Sequence, residues 1–204
     1  GVFREADALR PNSPYAASKA AADLLARAYR VTHGYPITVT RTSNNFGPYQ
    51  YPEKVVPLFV TNLIDGRKLP LYGDGGNVRD WTYVLDNVRA QWLALTEGEP
   101  GRTYNVGAGN ELSNRELTYR ILQRFGLEGA AAEDMIEPVA DRPGHDRRYA
   151  VDSGPIRELG WAPTVTFDEA LDTTIAWYRA HEWWWRPLQG AGARRRHGLV
   201  AQGR

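Results

Sequence analysis

The 204-residue chain has no cysteine, which removes disulfides, thiolate nucleophiles and cysteine-ligated metal together. It has only three lysines, Lys19, Lys54 and Lys68, beside 22 arginines, a bias that a GC-rich genome would produce. No apolar run reaches the ~18 residues of a membrane span, and no signal peptide is visible. Neither sign of charge dominates: the net charge of +1 gives no global field toward nucleic acid or an anionic membrane. Methionine is nearly absent too. The chain opens Gly1-Val2-Phe3-Arg4-Glu5 without an initiator, and its single Met is Met135, so it reads as a piece of a longer protein. A hydrophobic share of 42% and a charged share of 24% are ordinary for a globular protein. The length predicts one to two domains with a sizeable core. Together these features fit a cytoplasmic protein with no metal centre.

The most informative stretch is Asn12-Ser13-Pro14-Tyr15-Ala16-Ala17-Ser18-Lys19. Ser13 suits a helix N-cap and Pro14 the first helical position. A helix is predicted from Pro14 to about His33, ending at Gly34. Tyr15 and Lys19 then share one face, one turn apart. An ammonium beside a phenol favours the phenolate, which can exchange a proton with a substrate hydroxyl. The spacing alone also fits a surface helix that carries the two residues by accident. Alanines and leucines surround the helix on nearly every side, which predicts burial on more than one face: against a sheet, and against a partner subunit.

Residues 36–42 are β-branched and predict a strand, so helix then strand suggests a parallel α/β layer. The strand runs into Ser43-Asn44-Asn45-Phe46-Gly47-Pro48, read either as a polar ligand-reading end or as a simple turn. Helical periodicity follows Pro57 and stops at Asp65-Gly66. Residues 69–72 read as extended, 73–77 as a hairpin-type turn, and 78–84 as a returning strand that alternates at period two. A helix over about 85–97 has Val88, Trp92 and Leu95 spaced for one face. Strand 103–106 leads into Gly107-Ala108-Gly109-Asn110-Glu111-Leu112, which resembles a dinucleotide fingerprint. That reading fails because Leu112 stands at the third glycine position and no full βαβ unit follows. A tight turn into a helix running to about residue 125, with Ser113 and Glu116 as a capping box, is the better reading. Residues 126–140 read as irregular. Residues 141–149 are the most polar run, suited to phosphate oxygens or to self-paired solvated charge. Further on come an extended piece at 150–152, a short helix stopping at Gly160, and a last helix over about 167–185. Its face is Phe167, Ala170, Leu171, Thr174, Ile175 and Tyr178, and Trp183-Trp184-Trp185 packs or caps its end. Residues 188–204, with Arg194-Arg195-Arg196-His197, read as a disordered tail.

In order, Ser13-Pro14-Tyr15-Ala16-Ala17-Ser18-Lys19, Ser43-Asn44-Asn45-Phe46-Gly47-Pro48, Pro52-Glu53-Lys54, Leu69-Pro70-Leu71-Tyr72-Gly73, Arg79-Asp80-Trp81, Tyr104-Asn105-Val106-Gly107 and Asp141-Arg142-Pro143-Gly144-His145 resemble the extended short-chain dehydrogenase/reductase family. The last run points to its sugar-nucleotide 4,6-dehydratase branch. The resemblance implies an α/β fold: the C-terminal part of an NAD-binding Rossmann domain (1–54 and about 78–110) plus a smaller mixed α/β sugar-nucleotide domain (about 55–77 and 111–187). It implies an NAD-dependent lyase acting on a nucleoside-diphosphate sugar, dTDP-glucose, and a homodimer when complete. Tyr15 and Lys19 would be catalytic and would touch NAD together with Asn45. Asn44, Lys54 and Val55 would line the sugar site and Pro70, Leu71 and Tyr72 the nucleoside. Arg79 would meet the diphosphate, and Asn114, Asp141, Arg142, Pro143, Gly144 and His145 would complete the pocket.

Departures from the family are equally specific. Its glycine-rich dinucleotide loop and its Thr-Asp-Glu segment, whose carboxylates eliminate water, are not among these residues. The acid and His usual near Leu85 and Asn87 are replaced, and no catalytic role is attached to that change. The expectation is therefore a chain that holds the proton-transfer pair and the sugar-nucleotide half but does not turn over alone, with strand edges and apolar surface left uncovered. A 4-epimerase or decarboxylase of the same fold, and a non-catalytic remnant, are the alternatives.

Overall fold

A computed structural model describes residues 1–141 and 147–189. Helix α1 (Pro14–His33) starts at Ser13, whose hydroxyl accepts from the Ala16 amide at 3.1 Å, and ends at Gly34. Strand β1 (Val39–Thr42) pairs in parallel with β5 (Thr103–Val106). At Ser43 the chain changes partner. The Ser43 amide still donates to Val106 O at 2.8 Å, but the next strand, β2 (Asn44–Phe46), pairs in parallel with β4 (Val78–Tyr83). Strand β4 is also flanked by β6 (Glu111–Ser113), antiparallel, and β8 (Arg148–Tyr149), parallel. A third pair joins β3 (Leu69–Tyr72) to β7 (Ile136–Val139) in parallel.

The helices fill in around these strands. Helix α2 (Val55–Ile64), α4 (Asn114–Gln123) and α7 (Phe167–Ala180) bury one core with Phe46 and Trp81. All six residues expected on the α7 face are buried. Helix α3 (Val84–Thr96) gives Ala90 and Ala94 to a second core with Tyr104, Val106, Ile156 and Trp161. Among the described residues there are also short helices α5 (Gly129–Asp134), α6 (Gly154–Glu158) and α8 (Glu182–Trp185), and a 3₁₀ turn, Arg186–Leu188, follows α8.

Several sequence expectations are corrected. Residues 69–84 are not a hairpin: β3 pairs with β7, because the Gly73–Asn77 segment delivers the chain to another sheet. Strand β4 does not alternate. It lies between neighbours with both faces covered, and it buries Arg79 and Asp80 along with Trp81, Thr82 and Tyr83. Asn44 and Asn45 lie in a strand rather than a turn. Residues 126–140 form α5 and β7 rather than an irregular stretch. The last helix breaks at His181, whose backbone (φ −122°, ψ 41°) leaves the helical region. Val88, Trp92 and Leu95 do share a face of α3, but that face is open, with Trp92 66% exposed. Helix α1 has no buried residue. The described residues set little against it beyond Arg41, which pairs with Asp23 at 2.6 Å, and the loop at Gly101 under Arg30. Leu188 lies in the 3₁₀ turn rather than in a tail.

Candidate active site

The predicted site residues fall into three groups. The first is Tyr15 and Lys19 in the opening turns of α1. Both face outward, and Tyr15 is 75% exposed. Ser18 donates to the Tyr15 carbonyl at 2.7 Å, fastening that first turn. Among the described residues no side-chain hydrogen bond or ion pair joins Tyr15 or Lys19 to the other two groups.

The second group follows the partner change at Ser43. In open α/β sheets ligands collect at strand ends where neighbouring strands diverge. Here the Ser43 and Thr82 hydroxyls lie 2.8 Å apart, and the Ala108 amide donates to Thr82 Oγ1 at 3.0 Å. Asn44, exposed, and Asn45, half-buried, come next in β2. Asn45 Nδ2 reaches Thr42 Oγ1 at 3.4 Å, while its Oδ1 is buried with no hydrogen-bond partner. Lys54 caps α2 through its backbone, and its Nζ lies 3.6 Å from Glu53 in an exposed pair. Val55 is the first helical residue.

The third group gathers around the Gly73–Asn77 segment. Pro70, Leu71 and Tyr72 precede it in β3. Asp141 lies over Gly73, where an added Cβ would stand 3.2 Å from Asp141 Cβ. The Asn114 amide donates to Asn77 O at 3.0 Å, tying the start of α4 to the same segment. Arg79 follows two residues on in β4. It is 6% exposed, its Nη1 donates to Val78 O at 2.7 Å, and its guanidinium stacks 4.5 Å over the Tyr149 ring. Arg142, Pro143, Gly144 and His145 lie outside the described residues, as do residues 190–204.

Sequence reasoning passed over two features. Arg147, inside the polar run, makes a two-pronged ion pair with Asp74 at 2.9 and 3.0 Å, and Arg148 does the same with Glu111 at 2.7 and 2.9 Å. For these two arginines the run is paired charge; the signal was the acid in the Gly-rich turn. The Arg147 hydrogen bonds, with the Gly76 amide, hold the Asp74 carboxyl down at about 2, against an ordinary 3.8. Because the folded-state value is depressed, the clamp is complete above about pH 4 and is lost as pH falls toward 2. An NMR titration of the Asp74 carboxyl carbon should give a midpoint near that depressed value; an ordinary midpoint would mean that the pair does not form in solution.

The other feature is the buried Asp80. Its Oδ1 accepts from the Asn110 amide at 2.8 Å, and burial pushes its carboxyl up. The Gly107–Asn110 turn is thus folded around a carboxylate of its own chain, which is the physical reason it is not a phosphate loop. A Cβ on Gly107 would stand 2.3 Å from Asp80 Oδ2 and 2.7 Å from Val151. Gly107→Ala should therefore cost about 1–3 kcal/mol of stability, the usual range for overpacking. Urea unfolding measures it, and an unchanged midpoint would show that the turn can yield. Among the described residues no cluster of three or more His, Asp or Glu could hold a metal, and no helix is long and apolar enough to cross a membrane.

A family model described as GDP-mannose 4,6 dehydratase matches residues 1–174. The chain belongs to this family. Its similarity to family members is high: 53% identity over 190 residues to a dTDP-glucose 4,6-dehydratase of Streptomyces antibioticus, covering 93% of this chain and 56% of that protein. A crystal structure of the dTDP-glucose 4,6-dehydratase of Streptomyces venezuelae, solved with NAD bound, superposes with a TM-score of 0.88 at 52% identity, over 93% of this chain and 58% of that one. A UDP-glucose 4-epimerase of Thermotoga maritima superposes with a TM-score of 0.78 at 30% identity, over 87% of this chain and 57% of that one. The chain thus spans a little over half the length of these relatives, and it shares their Rossmann-type α/β fold.

Proposed function

We propose that this chain carries the proton-transfer pair and the sugar-nucleotide half of an NAD-dependent dTDP-glucose 4,6-dehydratase, a lyase of deoxysugar biosynthesis. The observation that carries the reading is the 53% identity to a dTDP-glucose 4,6-dehydratase across 93% of the chain. Under this reading residues 1–54 and about 78–110 belong to the cofactor domain, and residues 55–77 and 111–187 to the substrate domain. The complete enzyme is a cytoplasmic homodimer, in which the uncovered apolar surface of α1 becomes buried.

The residues present suit part of a nicotinamide dinucleotide. Asn45 Oδ1 is a buried acceptor that lacks a donor, and Tyr15 and Lys19 stand exposed one turn apart. The amides of residues 109 and 110 are taken by Asp80, so the pyrophosphate must be held elsewhere. Bound there, NAD would supply the chemistry of accepting a hydride from sugar C4 and returning it to C6. Tyr15 accepts the proton of the C4 hydroxyl through its phenolic oxygen, and the Lys19 ammonium offsets the charge there and would help hold the nicotinamide ribose. Asn44, Lys54 and Val55 position the sugar. Pro70, Leu71, Tyr72, Asn114 and the 141–145 segment hold the nucleoside, and Arg79 takes the diphosphate, where a fixed guanidinium has most effect. Oxidation at C4 acidifies C5–H, and loss of that proton with the C6 hydroxyl releases one water. None of these residues supplies the acid and base for that elimination.

Calorimetric titration of the 204-residue chain with dTDP-glucose tests the binding half of the proposal. Saturable one-to-one binding, competed by dTDP, is expected. A folded chain that takes neither ligand would overturn it.

A further inference from the structure

The loop between Asn45 and Lys54 is held by an element far away in sequence, and by an unusual number of constraints. Gly47 sits at φ 150°, and a Cβ there would stand 2.5 Å from Val84 Cγ1, so the backbone is pressed against the start of α3. Tyr49, the next residue but one, has φ 62°, and it is the only non-glycine residue with positive φ among the described residues. Side chains rarely accept that conformation, and it persists only where surrounding structure enforces it.

The enforcing contacts come from α7 and α8. The Tyr49 ring packs against Trp177 with centroids 4.6 Å apart and edge-on to Trp184 at 5.4 Å. The Tyr178 hydroxyl donates to the Gln50 carbonyl across 128 positions of sequence. Tyr178 is itself fully buried, and Trp185 Nε1 donates to its carbonyl at 2.8 Å. From Gln50 the constraint passes to the site: Gln50 Nε2 donates to the Asn45 carbonyl at 2.7 Å. One residue thus receives a hydrogen bond from α7 on its backbone and delivers one to β2 through its side chain.

We infer that Tyr178 and Gln50 are positioning residues: the aromatic end of α7 braces the 47–50 loop, fixes the β2 backbone at Asn45, and thereby sets the neighbouring Asn44, Lys54 and Val55 for the sugar of a bound nucleotide sugar. The statement rests on the proposed function for the identity of the ligand, but the brace itself does not. The nucleotide moiety is served by the residues around Gly73–Asn77, and among the described residues no hydrogen bond joins that segment to the 47–50 loop. Loosening the brace should therefore weaken recognition of the sugar and leave recognition of the nucleoside diphosphate alone.

Tyr178→Phe and Gln50→Met remove one hydrogen bond each while keeping the buried volume, so both variants should fold. Hydrogen exchange is expected to quicken at residues 44–54 in both and to stay unchanged in α4. The affinity for dTDP-glucose should fall about fivefold or more, the size of one neutral hydrogen bond, while that for dTDP changes by less than about twofold. Unchanged exchange at 44–54, or faster exchange across the whole chain, would overturn the brace. An equal loss for both ligands would overturn its selectivity for the sugar. If the unsubstituted chain binds neither ligand, the proposed function falls, and the exchange pattern alone decides whether the brace exists.

Discussion

Phe46→Ala should remove about 3–5 kcal/mol of stability, the range for truncating a fully buried aromatic. Phe46 is 1% exposed, and its ring meets those of Trp81, Tyr83 and Phe167 at centroid distances of 6.4, 6.0 and 5.2 Å. Those three residues come from β4 and α7, so the cavity would open where β2, β4 and the last long helix converge. The effect reaches function because Phe46 is the anchor of a three-residue strand whose other members are Asn44 and Asn45. Urea denaturation with the wild-type m-value is the appropriate measurement. A loss below about 1 kcal/mol would mean that the site can collapse around the cavity, and that β2 is held by its backbone pairing instead.

The second large effect is on rate rather than stability. Consider the chain joined to the part of the Streptomyces antibioticus dehydratase that lies outside the matched stretch. Tyr15→Phe in that enzyme should lower kcat about 10²-fold or more, the loss expected for a positioned acid–base group. The same substitution should leave unfolding unchanged within about 0.5 kcal/mol, since Tyr15 is exposed and its hydroxyl has no partner among the described residues. The separation of the two readouts is what identifies a chemical role. A near-wild-type kcat would refute the assignment, and a large stability loss would make Tyr15 structural.

How much of this was legible in the sequence depended on the range of the interaction that decides each element. Local signals read well. Helix α1 has the predicted bounds because Ser13, Pro14 and Gly34 act within a few residues of themselves. The Ser113–Glu116 capping box formed for the same reason. The buried face of α7 was legible because a helix period over 14 residues is a strong signal. Long-range pairing was not legible. Nothing near Gly73 says that β3 will leave β4 for β7, and the acid that pairs with Arg147 is 73 positions away. That the face of α3 is open was not legible for a related reason: periodicity shows that Val88, Trp92 and Leu95 share a side, but not whether anything covers it. Gln50 and Tyr178 left no trace of their connection, because their hydrogen bond is visible only once α7 has packed against the loop. The proposed chemistry rests chiefly on ordered motifs, and the Tyr15–Lys19 spacing takes its proposed meaning from the segments downstream.

If this chain's sugar site serves a 4,6-dehydration rather than an epimerisation on the same fold, the hydrogen taken from C4 must end at C6. Its path can be followed through the reaction of the joined enzyme. With dTDP-glucose deuterated at C4, dehydration predicts a 4-keto-6-deoxy product with deuterium in the C6 methyl group, read by NMR. Deuterium still at C4, now with that centre inverted and the C6 hydroxyl retained, would contradict it and assign the chain to an epimerase.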